Sequence, residues 1–262
     1  MHEYTIKSFH LSNNCDYFDQ LQYVYHEKDE TERELDDKLW ENVVFYYNTQ
    51  NCKELIKALL KLPKYPFRDS YVSCFRKKPK LIDRNPKQVK RMYDKVMSVD
   101  IDELKKLCSQ PKSSNKQQGP SFKNWVKTSD LGFPILKYND FLSSNDDAIL
   151  DGSDDTLKKF AREYLGYKKD KGLDFIARIK GKYVIAEVKF ITADGGAQTH
   201  QFKDAMSTLN GNYNENVIPI AILDGSIYLI DENSDCYINK TLKNCNKPVF
   251  SVLLLKEFLH RL

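Results

Sequence analysis

The spacing of apolar residues changes along the chain and predicts two kinds of structure. In the first part, Leu35, Leu39, Val43 and Tyr46 recur every three or four residues, which is the period of an amphipathic helix. Further helices, each preceded by a polar or capping residue, are predicted over 51–62, 86–97 and 100–110. Residues 1–30 show no clean period and fit an irregular arm or short strands. The first 150 residues are therefore expected to be mainly helical.

The second part of the chain mixes short apolar strands with helices. A helix is expected over residues 155–165, capped by Ser153 or Asp154. The stretch GLDFIARIKGKYVIAEVKF, residues 172–190, predicts two strands joined by a tight turn at Lys180-Gly181. The elements predicted after it are a helix over 198–209, a strand over 217–224 and a hairpin partner for that strand, SIYLID, over 226–231. This order predicts an α/β fold, with a helical region over residues 1–150 and a second domain over residues 151–262.

Composition supports a folded protein without marking one class of partner. Hydrophobic residues make up 41% of the chain and aromatic residues 12%, which is enough for a packed core. The net charge of +4 permits a polyanionic partner but does not require one. Six widely spaced cysteines without a CxxC pair predict free thiols, and no secretion signal or run of eighteen apolar residues occurs. We expect a cytoplasmic protein with no membrane segment.

Three charged residues in the predicted strand pair carry the candidate chemistry. Glu187 and Lys189 lie two apart on one strand and so share a face, while Val188 points to the other face. The turn at Lys180-Gly181 would bring Asp174, on the preceding strand, towards them. Two charges on one face of an apolar strand are costly unless something binds there. The pattern thus predicts a binding site made of two carboxylates and one ammonium group.

Magnesium is the ligand that this set of side chains favours. Mg²⁺ usually takes one or two carboxylates from a protein beside a phosphate substrate, and the main-chain carbonyl of Val188 is a further candidate ligand. The ion would polarise a scissile phosphoryl group and lower the pKa of a bound water, which Lys189 is placed to position or deprotonate. The alternative is a salt bridge on the solvated face of a hairpin.

Two polar stretches of the first part are candidates for contact with DNA. Residues 61–91 contain eleven Lys or Arg against two acidic residues, with aromatic residues between them. Residues 111–124 are rich in side chains that pair with base edges in the major groove. The candidate base-reading residues are Lys116, Gln117, Gln118, Lys123 and Asn124. The alternatives are a solvated surface for the first stretch and a flexible linker for the second.

Asp174 with Glu187-Val188-Lys189 resembles the active-site motif of the PD-(D/E)xK nuclease superfamily. Residues 153–230 resemble the restriction-endonuclease-like core of its type II restriction enzymes, a mixed central sheet flanked by helices. The resemblance implies that Asp174 and Glu187 hold magnesium and that Lys189 assists the attacking water. Leu173 stands where the family's motif usually has proline, which concerns the turn more than the chemistry.

The resemblance also extends to residues outside the motif. It implies that Glu163, on the preceding helix, is a candidate further metal ligand. Gln201 resembles the glutamine that some members carry on the next helix, and is a candidate DNA contact. His200 is expected to be a loop residue or a contact to the DNA backbone. The segment NKQQGPSFKNW, residues 115–125, resembles one found in some type II restriction enzymes that read G-A-N-T-C-like sites.

The expected function is a homodimeric, magnesium-dependent type II restriction endonuclease that cuts both strands of double-stranded DNA at a short, near-palindromic site. Two-fold symmetric sites favour two-fold symmetric proteins, which is the basis for the dimer. Two alternatives remain open. One is a repair or recombination endonuclease of the same superfamily. The other is a non-catalytic DNA-binding protein on a degenerate nuclease core, although such proteins usually lose one of the three motif residues.

Overall fold

The chain folds into two units, one of which is formed by two separate stretches of the sequence. The computed structural model describes residues 1–13, 16–25, 32–111, 118–193, 195–229 and 236–262. Met1–Glu27 and Ser114–Leu262 form one unit, called the sheet unit, and Lys28–Ser113 form the other, the helical unit. The helical unit is thus inserted in sequence into the sheet unit. This division differs from the boundary at residue 150 that the sequence indicates.

Helices and strands follow one another along the described residues. The helices are α1 (Glu3–Ser12), α2 (Tyr17–Val24), α3 (Asp37–Asn48), α4 (Cys52–Lys61), α5 (Val72–Lys77), α6 (Leu81–Arg84), α7 (Pro86–Val96), α8 (Ile101–Ser109), α9 (Gln118–Thr128), α10 (Tyr138–Ser143), α11 (Asp154–Tyr164), α12 (Gly196–Leu209), α13 (Tyr237–Asn244) and α14 (Leu255–Arg261). The strands are β1 (Ile135–Leu136), β2 (Ala148–Leu150), β3 (Phe175–Ile179), β4 (Lys182–Ile191), β5 (Val217–Gly225) and β6 (Val249–Phe250). No described helix is long and apolar enough to cross a membrane.

The six strands form one mixed sheet in the order β1-β2-β3-β4-β5-β6. The pairs β2/β3 and β3/β4 are antiparallel, and the pairs β1/β2, β4/β5 and β5/β6 are parallel. The turn predicted between β3 and β4 is confirmed: Lys180 and Gly181 have φ of 48° and 76°. Positive φ at both central residues is what a two-residue hairpin of this twist requires. Because β4 pairs with β3 on one edge and with β5 on the other, it is an interior strand of the sheet.

Helices cover both faces of this sheet, as an α/β fold requires. Alternate residues of β3 and β4, such as Phe175, Ala177 and Ala186, pack with α1, α2, α9 and α14. On the opposite face, Ile176 and Ile185 pack with α10 and α11, while Ile191 and Leu223 pack with α12 and α13. Glu187 and Lys189 have the parity of Ile185 and Ile191. They therefore belong to the face covered by α11 and α12.

Two expectations about local structure are corrected. Residues 226–231 do not pair with β5 as a hairpin: Ser226–Tyr228 form a 3₁₀ turn, and residues 230 and 231 lie outside the described part of the chain. β5 is already paired with β4 on one side and β6 on the other, so that no edge is left for a hairpin partner. Within residues 1–13 and 16–25, which are the described part of the N-terminal stretch, the chain forms helices α1 and α2 rather than an irregular arm or strands.

A buried carboxylate fastens α2 to the end of the sheet. Asp224, fully buried near the end of β5, accepts hydrogen bonds from the hydroxyls of Tyr25 (2.6 Å), Ser251 (2.6 Å) and Tyr17 (3.3 Å). The amide of Val252 also donates to it. Burial raises the pKa of Asp224 to about 6, since the loss of hydration outweighs these hydrogen bonds, which oppose the shift. The ionised form of Asp224 is therefore less favourable in the folded protein than in water.

This cost predicts a pH dependence of stability. The pKa of Asp224 lies at about 6 in the folded protein, against a usual value of 3.8. The unfolded chain ionises first, so Asp224 is expected to lower the free energy of unfolding as pH rises from below 3.8 to above 6, by about 3 kcal/mol in total. Urea unfolding of wild type and Asp224→Asn across this pH range measures the effect. An unchanged pH dependence in the variant would contradict the prediction.

The helical unit has its own apolar core. Leu55, Ile56 and Leu59 of α4 are fully buried, together with Val43 of α3 and Val96 of α7. Asp36 caps α3 and Asp100 caps α8, each by accepting a hydrogen bond from the backbone three residues on. The helices expected over residues 51–62, 86–97 and 100–110 are confirmed as α4, α7 and α8.

Candidate active site

The β3–β4 hairpin places the three motif residues together. The amide of Asp174 donates to the carbonyl of Ala186 at 3.1 Å, next to the pair Phe175 and Ala186. Extending this register by one residue sets Asp174 opposite Glu187, on the same face of the sheet. Lys189 is two residues further along β4 and shares that face. The local alternation of the strands is thus sufficient to gather two carboxylates and an ammonium.

The ammonium of Lys189 lies among three oxygen atoms. Its Nζ is 2.6 Å from Glu187 Oε1, 3.0 Å from the carbonyl oxygen of Val188 and 3.6 Å from Asp174 Oδ2. These oxygens belong to the three groups that the sequence suggests as metal ligands. Their convergence on one cationic atom makes a donor set of the kind that a hard cation takes, since Mg²⁺ binds oxygen almost exclusively.

Burial makes this group of charges unfavourable in free energy unless a cation binds to it. Glu187 is 1% exposed, and its Oε2 is buried with no hydrogen-bond partner among the described residues. Burial also raises the pKa of Asp174, with the Glu187 charge adding to the shift, although Lys189 and the amide of Val188, which donates to Asp174 Oδ2 at 2.8 Å, oppose it. A buried carboxylate oxygen without a partner costs free energy. Such a cost is expected where a bound cation completes the site.

The residues present therefore fit a magnesium ion. Asp174, Glu187 and the carbonyl of Val188 supply three oxygens, and the unpartnered Oε2 of Glu187 is available as well. Within the described residues, no three His, Cys, Asp or Glu side chains cluster as a larger metal centre. Two carboxylates agree with a Mg²⁺ site, because this ion keeps several waters and takes few protein ligands.

A second lysine, which no sequence motif marks, also reaches Glu187. Lys171 lies in the loop before β3, and its Nζ is 2.7 Å from Glu187 Oε1 and 2.9 Å from Asp204 Oδ2 on α12. Partial burial works to lower the pKa of Lys171, but the hydrogen bonds to Glu187 and Asp204 outweigh it and raise this pKa. Its partner Asp204 lies 33 residues away in sequence, so no local pattern could reveal this contact.

The loop that carries Lys171 is held close to the start of α11. A Cβ atom on Gly172 would lie 2.4 Å from the Cβ of Asp154, so only glycine fits there without a shift of the backbone. Ser153 caps α11 by accepting from the amide of Thr156, as the sequence predicts. The N-terminal end of α11 is thus the end that lies near the motif.

Glu163 lies towards the other end of α11. It is exposed, and its Oε2 accepts a hydrogen bond from the hydroxyl of Tyr138 at 2.9 Å. Its position on the helix is about 14 Å along the axis from that of Asp154. The structure accordingly does not bring Glu163 to the oxygens around Lys189.

Helix α12 carries the other candidates on the second half of the chain. His200 is exposed and Gln201 is half-buried, both in the first turns of α12. The hydrogen bond from Lys171 lowers the pKa of Asp204, one turn further on, and the nearby charge of His200 contributes to this shift. His200 therefore lies on the side of α12 that bears Asp204 and faces the motif.

The candidate base-reading residues fall partly on α9. Gln118, Lys123 and Asn124 belong to this helix, whereas Lys116 and Gln117 lie outside the described residues. Asn124 is exposed, and the ammonium of Lys123 pairs with Asp154. A small cavity of about 60 Å³ is lined by Lys123 and Asp174 together. Helix α9 is thus a direct neighbour of the motif.

The basic stretch over residues 61–91 belongs to the helical unit. Several of its cations are engaged within that unit. The guanidinium of Arg76 donates to the carbonyls of Leu60 and Leu62 at the end of α4, and Arg91 pairs with Asp69. Arg76 thereby satisfies helix-terminal carbonyl groups. Lys64 also donates to Gln110, and Lys90 pairs with Asp94.

Comparison with known proteins gives one result that covers nearly the whole chain. A search of curated proteins and a search of solved structures found no match. The family model described as Tsp45I type II restriction enzyme matches residues 2–262. A type II restriction enzyme is an endonuclease that binds DNA and cuts it at a specific site, and the match includes both the hairpin motif and α9. The chain belongs to the Tsp45I family of type II restriction enzymes.

Proposed function

We propose that the protein is a magnesium-dependent endonuclease that hydrolyses phosphodiester bonds in both strands of duplex DNA at a short, near-palindromic site. The observation that carries this proposal is the convergence of Asp174, Glu187 and the carbonyl of Val188 on the ammonium of Lys189. We assign these residues to a PD-(D/E)xK reaction centre on a restriction-endonuclease-like core. The family match favours restriction over repair as the role of this centre.

Each residue has a role that follows from its position. Asp174, Glu187 and the Val188 carbonyl would hold the ion, which when bound supplies charge for the phosphoryl group and a water of lowered pKa. The ammonium of Lys189 contacts all three of these oxygens. It is placed to hold the attacking water by a hydrogen bond and to stabilise the negative charge that develops on the phosphate. The burial of Glu187 keeps bulk water from competing for its oxygens.

DNA recognition is assigned mainly to the first 150 residues. Gln118, Lys123 and Asn124 on α9, with Lys116 and Gln117 just before it, would read base edges of a G-A-N-T-C-like site. The cavity shared by Lys123 and Asp174 supports this, because a helix that reads bases must lie near the phosphate that is cut. His200 and Gln201 would contact the strand near α12. A near-palindromic site is most simply read by a homodimer, which presents two such sets of residues.

One incubation tests the magnesium-dependent reaction. Plasmid DNA with the full-length protein and Mg²⁺ is expected to give discrete fragments on a gel, and the same mixture with a chelator is expected to leave the plasmid intact. Fragments that persist in the chelator would refute the role of the metal. A smear or a nicked circle alone would instead support the repair alternative, and a plasmid that stays intact in Mg²⁺ would refute the proposed activity.

A further inference from the structure

We propose that Lys171 is a positioning residue of the reaction centre. Its ammonium pairs with Glu187 and dissociates from this carboxylate when a divalent cation binds. The inference rests on the proposed function, because it concerns the ion that Glu187 would hold. It adds a residue that lies outside the Asp174, Glu187 and Lys189 motif.

The geometry shows two cations on one oxygen. Glu187 Oε1 is 2.7 Å from the Nζ of Lys171 and 2.6 Å from the Nζ of Lys189. Both ammonium groups are therefore bonded to the same atom of the carboxylate that is proposed to hold the metal. A divalent ion that approaches this atom must displace at least one of them, since like charges at such distances repel strongly.

Of the two lysines, Lys171 is the one whose ammonium can dissociate from Glu187. The side chain of Lys189 is 18% exposed and is fixed on a central strand, whereas that of Lys171 is 42% exposed and is carried by a loop. Lys171 also has a second partner, Asp204, which is itself 55% exposed. When it loses Glu187, the ammonium of Lys171 can keep the bond to Asp204 and the contact with water. Lys189 has no such outward partner among the described residues.

The balance of charge favours this exchange. The carboxylates of Asp174 and Glu187 are matched by the ammonium groups of Lys171 and Lys189. A divalent ion added to these four groups would leave two excess positive charges. Movement of Lys171 away from Glu187, towards Asp204 and water, halves that excess, and a phosphate of bound DNA would neutralise the remainder. Lys171 thus keeps Glu187 oriented and paired before the ion arrives.

The test measures metal binding rather than cleavage. Mg²⁺ is titrated calorimetrically into the full-length protein without DNA, for wild type, Lys171→Met, Lys171→Arg and Lys168→Met. Loss of one competing charge-assisted hydrogen bond is expected to make Lys171→Met bind Mg²⁺ about tenfold more tightly. Lys171→Arg keeps the charge and is expected to bind as wild type does. Lys168, exposed in the same loop and without a described partner, is the matched control for loss of a lysine.

Asp204 supplies a second variant with the opposite expected sign. Asp204→Asn removes the outward partner of Lys171 and is expected to weaken Mg²⁺ binding about threefold to tenfold. In the Lys171→Met background the same change is expected to have little effect, because the competing ammonium is gone. This variant also provides the measurement if Lys171→Met fails to fold.

The outcomes separate this inference from the proposed function. Wild type that binds Mg²⁺ and cuts DNA, with Lys171→Met binding Mg²⁺ no more tightly than Lys168→Met does, overturns the inference alone. Wild type that neither binds Mg²⁺ nor cuts DNA overturns the proposed function and the inference with it. Tighter binding by Lys171→Met together with wild-type binding by Lys171→Arg supports the competition.

Discussion

Replacing Lys189 by alanine is expected to lower the rate of DNA cleavage about a thousandfold, the size of effect seen when one charge-stabilising group is removed from a reaction centre. The Lys189 ammonium touches Glu187, Val188 and Asp174 and is the only donor in contact with all three among the described residues. Its loss removes the group proposed to hold the attacking water and to stabilise the phosphate charge. The measurement is the single-turnover rate of cleavage of a plasmid in saturating Mg²⁺.

A matched control lies on the same strand. Lys182 is exposed at the start of β4, away from the motif, so Lys182→Ala removes a β4 lysine without changing the reaction centre. It is expected to cut DNA at the wild-type rate. DNA affinity, measured for both variants, is expected to stay within about threefold of wild type, because each variant loses only one lysine. Cleavage by Lys189→Ala at a rate near that of wild type would remove Lys189 from the mechanism.

Glu187→Gln is expected to weaken Mg²⁺ binding at least about a hundredfold and to abolish measurable cleavage. The amide keeps the shape of the side chain but removes the charge that a hard cation requires. Glu187 is also 1% exposed and carries an unpartnered oxygen, so water cannot readily replace its carboxylate as a metal ligand. Calorimetric titration of Mg²⁺ without DNA measures the affinity, and a plasmid assay measures the cleavage.

Glu215→Gln is the control for this substitution, since Glu215 is exposed in the turn before β5. It is expected to bind Mg²⁺ and cut DNA as wild type does. Thermal unfolding of both variants verifies that they are folded. If folded Glu187→Gln bound Mg²⁺ with unchanged affinity, the ligand set proposed for the motif would have to be abandoned.

The hairpin that carries the motif could be derived from the sequence because every step is local. Alternation of period two fixes the shared face of Glu187 and Lys189, and the pair Lys180-Gly181 supplies the positive φ angles of the turn. The turn then sets the register, which places Asp174 opposite Glu187. Each of these inferences uses residues of one continuous pair of strands.

The contacts of Lys171 could not be derived in this way. Its bond to Asp204 requires that α12 pack on the face of β4 that bears Glu187, which depends on the parity of Ile191 and Leu223 and on the crossover between β4 and β5. The same holds for residues 226–231, where an apolar alternation predicted a strand. There the sheet order decides, because β6 takes the edge of β5 that a hairpin would need.

Short elements were also beyond the reach of the pattern. β2 has three residues, Ala148–Leu150, in a stretch of acidic and small residues for which the sequence predicts no strand. It pairs with both β1 and β3. Three residues give too few positions for a period, so that burial by neighbours, and not the local sequence, determines this strand.

Hydrogen bonds made by α1 and by Tyr25, the residue after α2, affect the order in which the chain folds during synthesis. Thr5 donates to the carbonyl of Val249 at 2.7 Å, and Tyr25 reaches Asp224 at 2.6 Å. These helices leave the ribosome long before their partners on β5 and β6 are made. The inserted residues Lys28–Ser113 contain a core of their own and can fold while the chain grows. The sheet unit therefore cannot be completed until β5 and β6 have been synthesised and can contact Tyr25 and α1.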